Sequence, residues 1–121
     1  MARILFIDDD PFTLETLGKA VEVFGHQHFW AKNAQEALKI AAEQSPDMIF
    51  LDMNLPDMDG ITLIGRLRQV PALASTPVLV LSASPEMDAA DLARQAGAQA
   101  YLTKPIRLQM LLDTIQEYSA V

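Results

Sequence analysis

The 121-residue sequence predicts one α/β domain, a doubly wound (βα)5 fold in which five strands alternate with five helices. Three observations carry that prediction. The runs ILFI, MIFL and VLVL are continuously apolar rather than alternating, as strands are when helices cover both sheet faces. Between them lie longer stretches whose apolar residues recur at helical spacing. Capping and stop residues separate the two kinds of segment.

The elements follow in order. The strands are expected at Arg3–Ile7, His28–Ala31, Met48–Leu51, Pro77–Leu81 and Gln99–Leu102. A short buried helix could also give an apolar run, but these runs are too short and too cleanly bounded. Leu14, Leu17, Val21 and Phe24 line one face of a first helix. Asn33 with Glu36 three residues later opens a second, through Ala37, Leu38 and Ala41. Asp59 caps a third, carrying Ile61, Ile64 and Leu67. Ser84-Pro85 starts a fourth, with Pro at its first position, and Gly97 stops it in the left-handed conformation. Leu108, Leu111, Leu112 and Ile115 mark the fifth.

Half the residues are hydrophobic and 21% are charged, the balance of a folding chain. There is no cysteine, which removes disulfide and zinc-thiolate chemistry and is compatible with a cytoplasmic location. No apolar run approaches the roughly 20 residues of a membrane span, and the N-terminus lacks the regions of a signal peptide. The net charge of −7 argues against direct nucleic-acid binding by this domain, which would leave a basic footprint.

Each central strand runs into a polar residue. Asp8 and Asp9 follow the first, Asp52 the third and Ser82 the fourth, and Lys104 lies just past the fifth. In a parallel sheet these ends share one edge, where α/β sheets place their functional crevice. Three carboxylates, a hydroxyl and an ammonium should therefore converge. Clustered carboxylates suit a hard divalent cation, and Mg²⁺ uses one or two of them plus waters and phosphate oxygens. One carboxylate could then accept a phosphoryl group as an acyl phosphate, with charge compensated by metal, Lys104 and Ser82.

Taken singly, these residues have plainer roles. An Asp after a strand is usually a turn residue or a cap, which suits Asp10 before Pro11, and Asp57 and Asp59 before the third helix. Ser82 alone is uninformative, and a lone Lys104 is a solvated charge. His26, His28 and Trp30 read as structural or packing residues. The set at one edge is what points to chemistry.

The segments IDDDP, FLDMNLPDMDG, VLVLSAS and GAQAYLTKPI, in this order and spacing, resemble the receiver (CheY-like) domain of two-component response regulators over nearly the whole chain. The resemblance implies a flavodoxin-like sheet of order 2-1-3-4-5 and a single domain over residues 1–121. It implies Asp52 as phosphoacceptor, with Asp9, Asp52 and the backbone carbonyl of Asn54 as Mg²⁺ (or Mn²⁺) ligands and Asp8 acting through water. It also implies that Ser82 follows the phosphoryl group, Lys104 pairs with one of its oxygens, and Pro105 follows a cis peptide bond. Tyr101 matches the aromatic switch position, moving with Ser82 to reshape the face of helix 4, strand 5 and helix 5. Asn54 and Ser84 fall where family members tune hydrolysis of the acyl phosphate. The implied partners are a histidine kinase or histidine phosphotransfer protein, and a downstream target or attached output domain, with phosphorylation-dependent dimerisation as a further option. The length fits a stand-alone regulator or an excised receiver. Met1 reads as a native start, which disfavours the interior of a hybrid kinase.

Other functions compete. IDDD contains the Asp-x-Asp of haloacid-dehalogenase-type phosphatases, with Asp8 as nucleophile, but that class uses a longer chain and leaves Asp52 without a role. Flavin binding on this topology would set an FMN phosphate against three carboxylates. A receiver that is never phosphorylated would not need the intact acidic set and Lys104.

Overall fold

The computed structural model describes residues 2–83 and 87–118. Its elements are β1 (Arg3–Ile7), α1 (Pro11–Val23), β2 (Gln27–Ala31), α2 (Ala34–Gln44), β3 (Met48–Asp52), α3 (Gly60–Gln69), a 3₁₀ turn (Pro71–Leu73), β4 (Val78–Ser82), α4 (Met87–Ala96), β5 (Ala100–Thr103) and α5 (Leu108–Tyr118). All strand pairs are parallel and the sheet order is β2-β1-β3-β4-β5.

Side chains alternate across each strand, so one apolar run feeds two cores. Leu5, Ile7, Ile49, Leu51, Val78 and Val80 pack with Ala34, Ala37 and Ala41 of α2 and Leu63, Ile64 and Leu67 of α3. Ile4, Phe6, Met48, Phe50, Leu79 and Leu81 pack with Leu14, Leu17 and Val21 of α1 and Leu111 and Ile115 of α5. Both faces are therefore dry, which is why these strands carry no alternation in their sequence. Phe6 and Phe50, paired in the β1–β3 register, stack with ring centroids 5.4 Å apart.

The caps act locally, as expected. Asp10 accepts from the Phe12 N–H and the Thr13 hydroxyl at the start of α1. Asn33 accepts from the Glu36 N–H, and Asp59 from the Thr62 N–H and hydroxyl. Gly97, at φ +120°, turns the chain out of α4. The expected start of that helix, Ser84-Pro85, lies outside the described residues, as does the tuning position Ser84.

The end of the first helix departs from expectation. Phe24 does not extend the buried stripe of α1: it is the C-cap residue, 53% exposed, because the helix ends one residue earlier. Trp30 stacks on His28 at 5.8 Å between centroids yet stays 41% exposed, since β2 is a sheet edge. His26 is structural, its Nδ1 accepting the Ala2 N–H at 3.0 Å. Strands β3 and β4 each run one residue further than expected, taking in Asp52 and Ser82.

Candidate phosphoacceptor and metal site

The carboxyl ends of β1, β3, β4 and β5 meet at one edge. Asp8 continues β1 and is 3% exposed. Its own N–H donates to the Ala31 carbonyl at 3.0 Å, which carries the β1–β2 ladder one step past the strand. One carboxylate oxygen, Oδ1, accepts the Asp10 N–H at 2.9 Å. The other, Oδ2, accepts from Lys104 Nζ at 2.5 Å. Asp9 is exposed and points its chemistry to the same place: Asp8, Asp9 and Asp52 each offer an oxygen within 4.8 Å of the others.

Asp52 ends β3 and is 9% exposed. Burial, above all, raises its carboxyl pKa, and the charges of Asp8 and Asp9 add to the rise. The Lys104 ammonium and the Asn54 N–H oppose it. Lys104 Nζ stands 3.8 Å from Asp52 Oδ1. A single ammonium thus faces several carboxylates and sits closest to Asp8. Three carboxylate oxygens at this spacing, two of them on buried residues, are a donor set that fits a hard divalent cation.

Lys104 is held in place by its backbone, whose N–H donates to the Ser82 carbonyl at 2.8 Å. The Lys104–Pro105 peptide bond is cis. Ser82 ends β4 and is 3% exposed. Tyr101, paired with Val80 in the β4–β5 register, is partly buried against the α2–α3 core. Asn54 is exposed, with its main chain bridged to Asp59 across the loop between β3 and α3. Beside Lys104 opens an apolar cavity of about 360 Å³, lined in part by Phe12, Thr13, Leu17, Pro105 and Ile106. Phe12 is 74% exposed at its rim.

Two residues to which the sequence assigns a minor role or none, Asp57 and Arg68, tie distant elements together. Asp57 reaches from the β3–α3 loop to α2, accepting the Ala34 N–H at 2.8 Å and the Gln35 N–H at 3.1 Å. Arg68, at the end of α3, donates to the carbonyls of Leu73, Thr76 and Gly97 and to Gln99 Oε1. Neither contact has a local sequence signal, because the partners lie 22 to 31 residues away or on the backbone.

The profile of the response regulator receiver domain matches residues 4–116. Among curated proteins, the transcriptional regulatory protein KdpE of Mycobacterium tuberculosis is 40% identical over 116 residues, covering 96% of this chain and 50% of KdpE. The chain therefore spans half the length of that relative. Protein PilH of Pseudomonas aeruginosa is 30% identical over 115 residues, covering 95% of each. Among solved structures, the chemotaxis protein CheY4 of Vibrio cholerae superposes with a TM-score of 0.93 at 27% identity, covering 98% of both chains. A response regulator structure from Chloroflexus aurantiacus gives 0.92 at 32% identity, covering 99% of this chain and 98% of its own.

Proposed function

This chain belongs to the response regulator receiver domain family, and from that premise we propose that Asp52 is the phosphoacceptor of a Mg²⁺-dependent relay switch. Receiver domains of this family work in phosphorelay signalling as switches rather than as turnover enzymes. The observation that carries the specific reading is the group of three carboxylates within 4.8 Å, at the ends of β1 and β3, facing the Lys104 ammonium.

In the proposed step an Asp52 carboxylate oxygen attacks the phosphorus of a phosphohistidine on a histidine kinase or histidine phosphotransfer protein. A P–O bond forms, the P–N bond breaks, and the imidazole nitrogen leaves with the electron pair. The raised pKa of Asp52 makes its carboxylate, once ionised, a stronger nucleophile than an ordinary one, while Lys104 at 3.8 Å compensates the charge brought in. Asp9, Asp52 and the Asn54 carbonyl would hold Mg²⁺ or Mn²⁺ directly. Asp8 would act through water, as the family resemblance implies, while its two oxygens accept the Asp10 N–H and the Lys104 ammonium. When bound, the cation offsets the charge shared by carboxylates and phosphoryl oxygens.

Ser82 and Tyr101 would then follow the phosphoryl group and alter the α4–β5–α5 face, read by a target protein, an attached output domain or a second copy. The setting is a cytoplasmic relay, and no helix of the described residues is long and apolar enough to cross a membrane.

The test is intact mass after incubation with Mg²⁺ and acetyl phosphate. One added phosphoryl group is expected, lost in Asp52→Asn. Labelling that survives Asp52→Asn and disappears in Asp8→Asn would overturn the assignment in favour of an Asp8 nucleophile.

A further inference from the structure

The loop that follows the phosphoacceptor is closed at its neck and tethered at its tip. At the neck, the Gly60 N–H donates to the Met53 carbonyl at 2.8 Å, and Asn54 bridges Asp59. The approach is so close that a Cβ on Gly60 would lie 2.9 Å from the Met53 Cα. Leu55 is buried in the core shared by α2 and α3, which fixes one side of the loop. At the tip, Asp57 spans to a different element, and its carboxylate takes the first two helical amides of α2, Ala34 and Gln35.

Helix α2 does not depend on Asp57 for a cap of its own. Asn33 accepts the Glu36 N–H at 2.8 Å, and Glu36 reaches back to the Lys32 N–H at 3.0 Å. Asp57 supplies what the local cap leaves open, and a carboxylate there is favoured by the positive end of the helix dipole. The Ala34 N–H above all, then the Gln35 N–H, hold the Asp57 carboxyl below the usual carboxylate range, so it is charged at neutral pH. The contact therefore looks outward: its effect falls on the loop.

The same loop carries Asn54, two residues past Asp52, and its N–H favours the charged form of the Asp52 carboxyl. We propose that Asp57 is a positioning residue for the metal half of the site, holding the Asn54 segment against Asp52 by anchoring the loop tip on the N-terminus of α2. This rests on the reading of Asp8, Asp9, Asp52 and Asn54 as the cation site. It adds that metal affinity depends on a carboxylate that touches neither the cation nor the phosphoryl group.

The test uses Mn²⁺ alone, with binding followed by the EPR signal of free Mn²⁺, and amide hydrogen exchange of the metal-free protein. Wild type should bind Mn²⁺ and Asp52→Ala should not; failure of that pair would overturn the underlying site and this inference with it. Given binding, Asp57→Ala should weaken Mn²⁺ about three- to tenfold, at or below the usual range for outer-shell partners of a metal site. Exchange should speed up at Ala34 and Gln35 and also at Asn54. Asp57→Asn, which keeps an acceptor oxygen, should restore affinity to within about twofold of wild type. Asn33→Ala loosens the same helix end without cutting the tether and should leave Mn²⁺ affinity unchanged. Unchanged affinity in a folded Asp57→Ala, or an equal loss in Asn33→Ala, would overturn the proposal.

Discussion

The two edges of the sheet handle charge in opposite ways. At the edge where strands begin, Arg3 and Arg68 are matched by neutral acceptors. Arg3 donates to the Gln44 carbonyl and side chain and lies over the Phe29 ring, while Arg68 gathers the Leu73, Thr76 and Gly97 carbonyls. Those contacts tie the end of α2 to β1 and the end of α3 to the starts of β4 and β5. At the edge where strands end, Asp8 and Asp52 face the Lys104 ammonium with Asp9 gathered beside them, and burial works against Asp52 ionising. One edge is satisfied within the chain and holds the fold. The other keeps, among the described residues, more carboxylates than ammonium groups, a surplus that a bound cation would relieve.

This contrast can be broken at either edge. The largest effect is expected from Arg68→Met, which strands several carbonyls that the guanidinium now satisfies. A loss of about 2–3 kcal/mol in urea unfolding follows from charge-assisted hydrogen bonds, with phosphorylation by acetyl phosphate within about twofold of wild type. A collapse of phosphorylation in the folded variant would mean that the edges are not separable.

Asp52→Asn should act in the opposite direction. The Asp52 pKa is raised in the fold, so between the ordinary carboxylate value and its folded value the native state holds the proton that the unfolded state has released. Its contribution to stability therefore falls as pH rises through that window and stays unfavourable above it. Removing the charge should raise the metal-free Tm at neutral pH by about 3–6 °C and leave little difference at a pH near or below the ordinary carboxylate value. The variant should also gain less than wild type from added Mg²⁺. A metal-free Tm below wild type at pH 7 would contradict the surplus.

The smallest effect sharpens the comparison by salt alone. Raising ionic strength from about 0.05 to about 0.5 M shortens the screening length severalfold. The metal-free wild type should then gain a degree or two, roughly, and Asp52→Asn less. The deficit of Arg68→Met should stay constant, because its acceptors are mostly neutral carbonyls. Equal salt responses in all three would show that the edge charges do not matter to stability.

What was legible in the sequence follows the range of each interaction. ILFI, MIFL and VLVL announce strands because burial on both faces writes itself into consecutive residues. Asp10, Asn33 and Asp59 announce helix starts because a cap works over two or three positions. The grouping of Asp8, Asp52, Ser82 and Lys104 was legible because parallel strands bring their ends to one edge, while the strand order came from the family resemblance. Phe24 was misplaced because helical periodicity says nothing about which turn is the last. Asp57 and Arg68 could not be read, since a carboxylate spending itself on a distant helix end looks like any loop aspartate. A guanidinium that binds carbonyls has no partner residue to find.

The stacked pair Phe6 and Phe50 lies two residues before Asp8 and Asp52, on the same face of neighbouring strands. Neighbouring strands stand about 4.8 Å apart wherever their backbones pair, and continuing the β1–β3 register past Ile7 and Leu51 brings Asp8 beside Asp52. The strand register thus sets these two carboxylates side by side, with the two stacked rings beneath them. A substitution in that ring pair would change the bite of a site it never touches, and ions of different radius would be the gauge that reads the change.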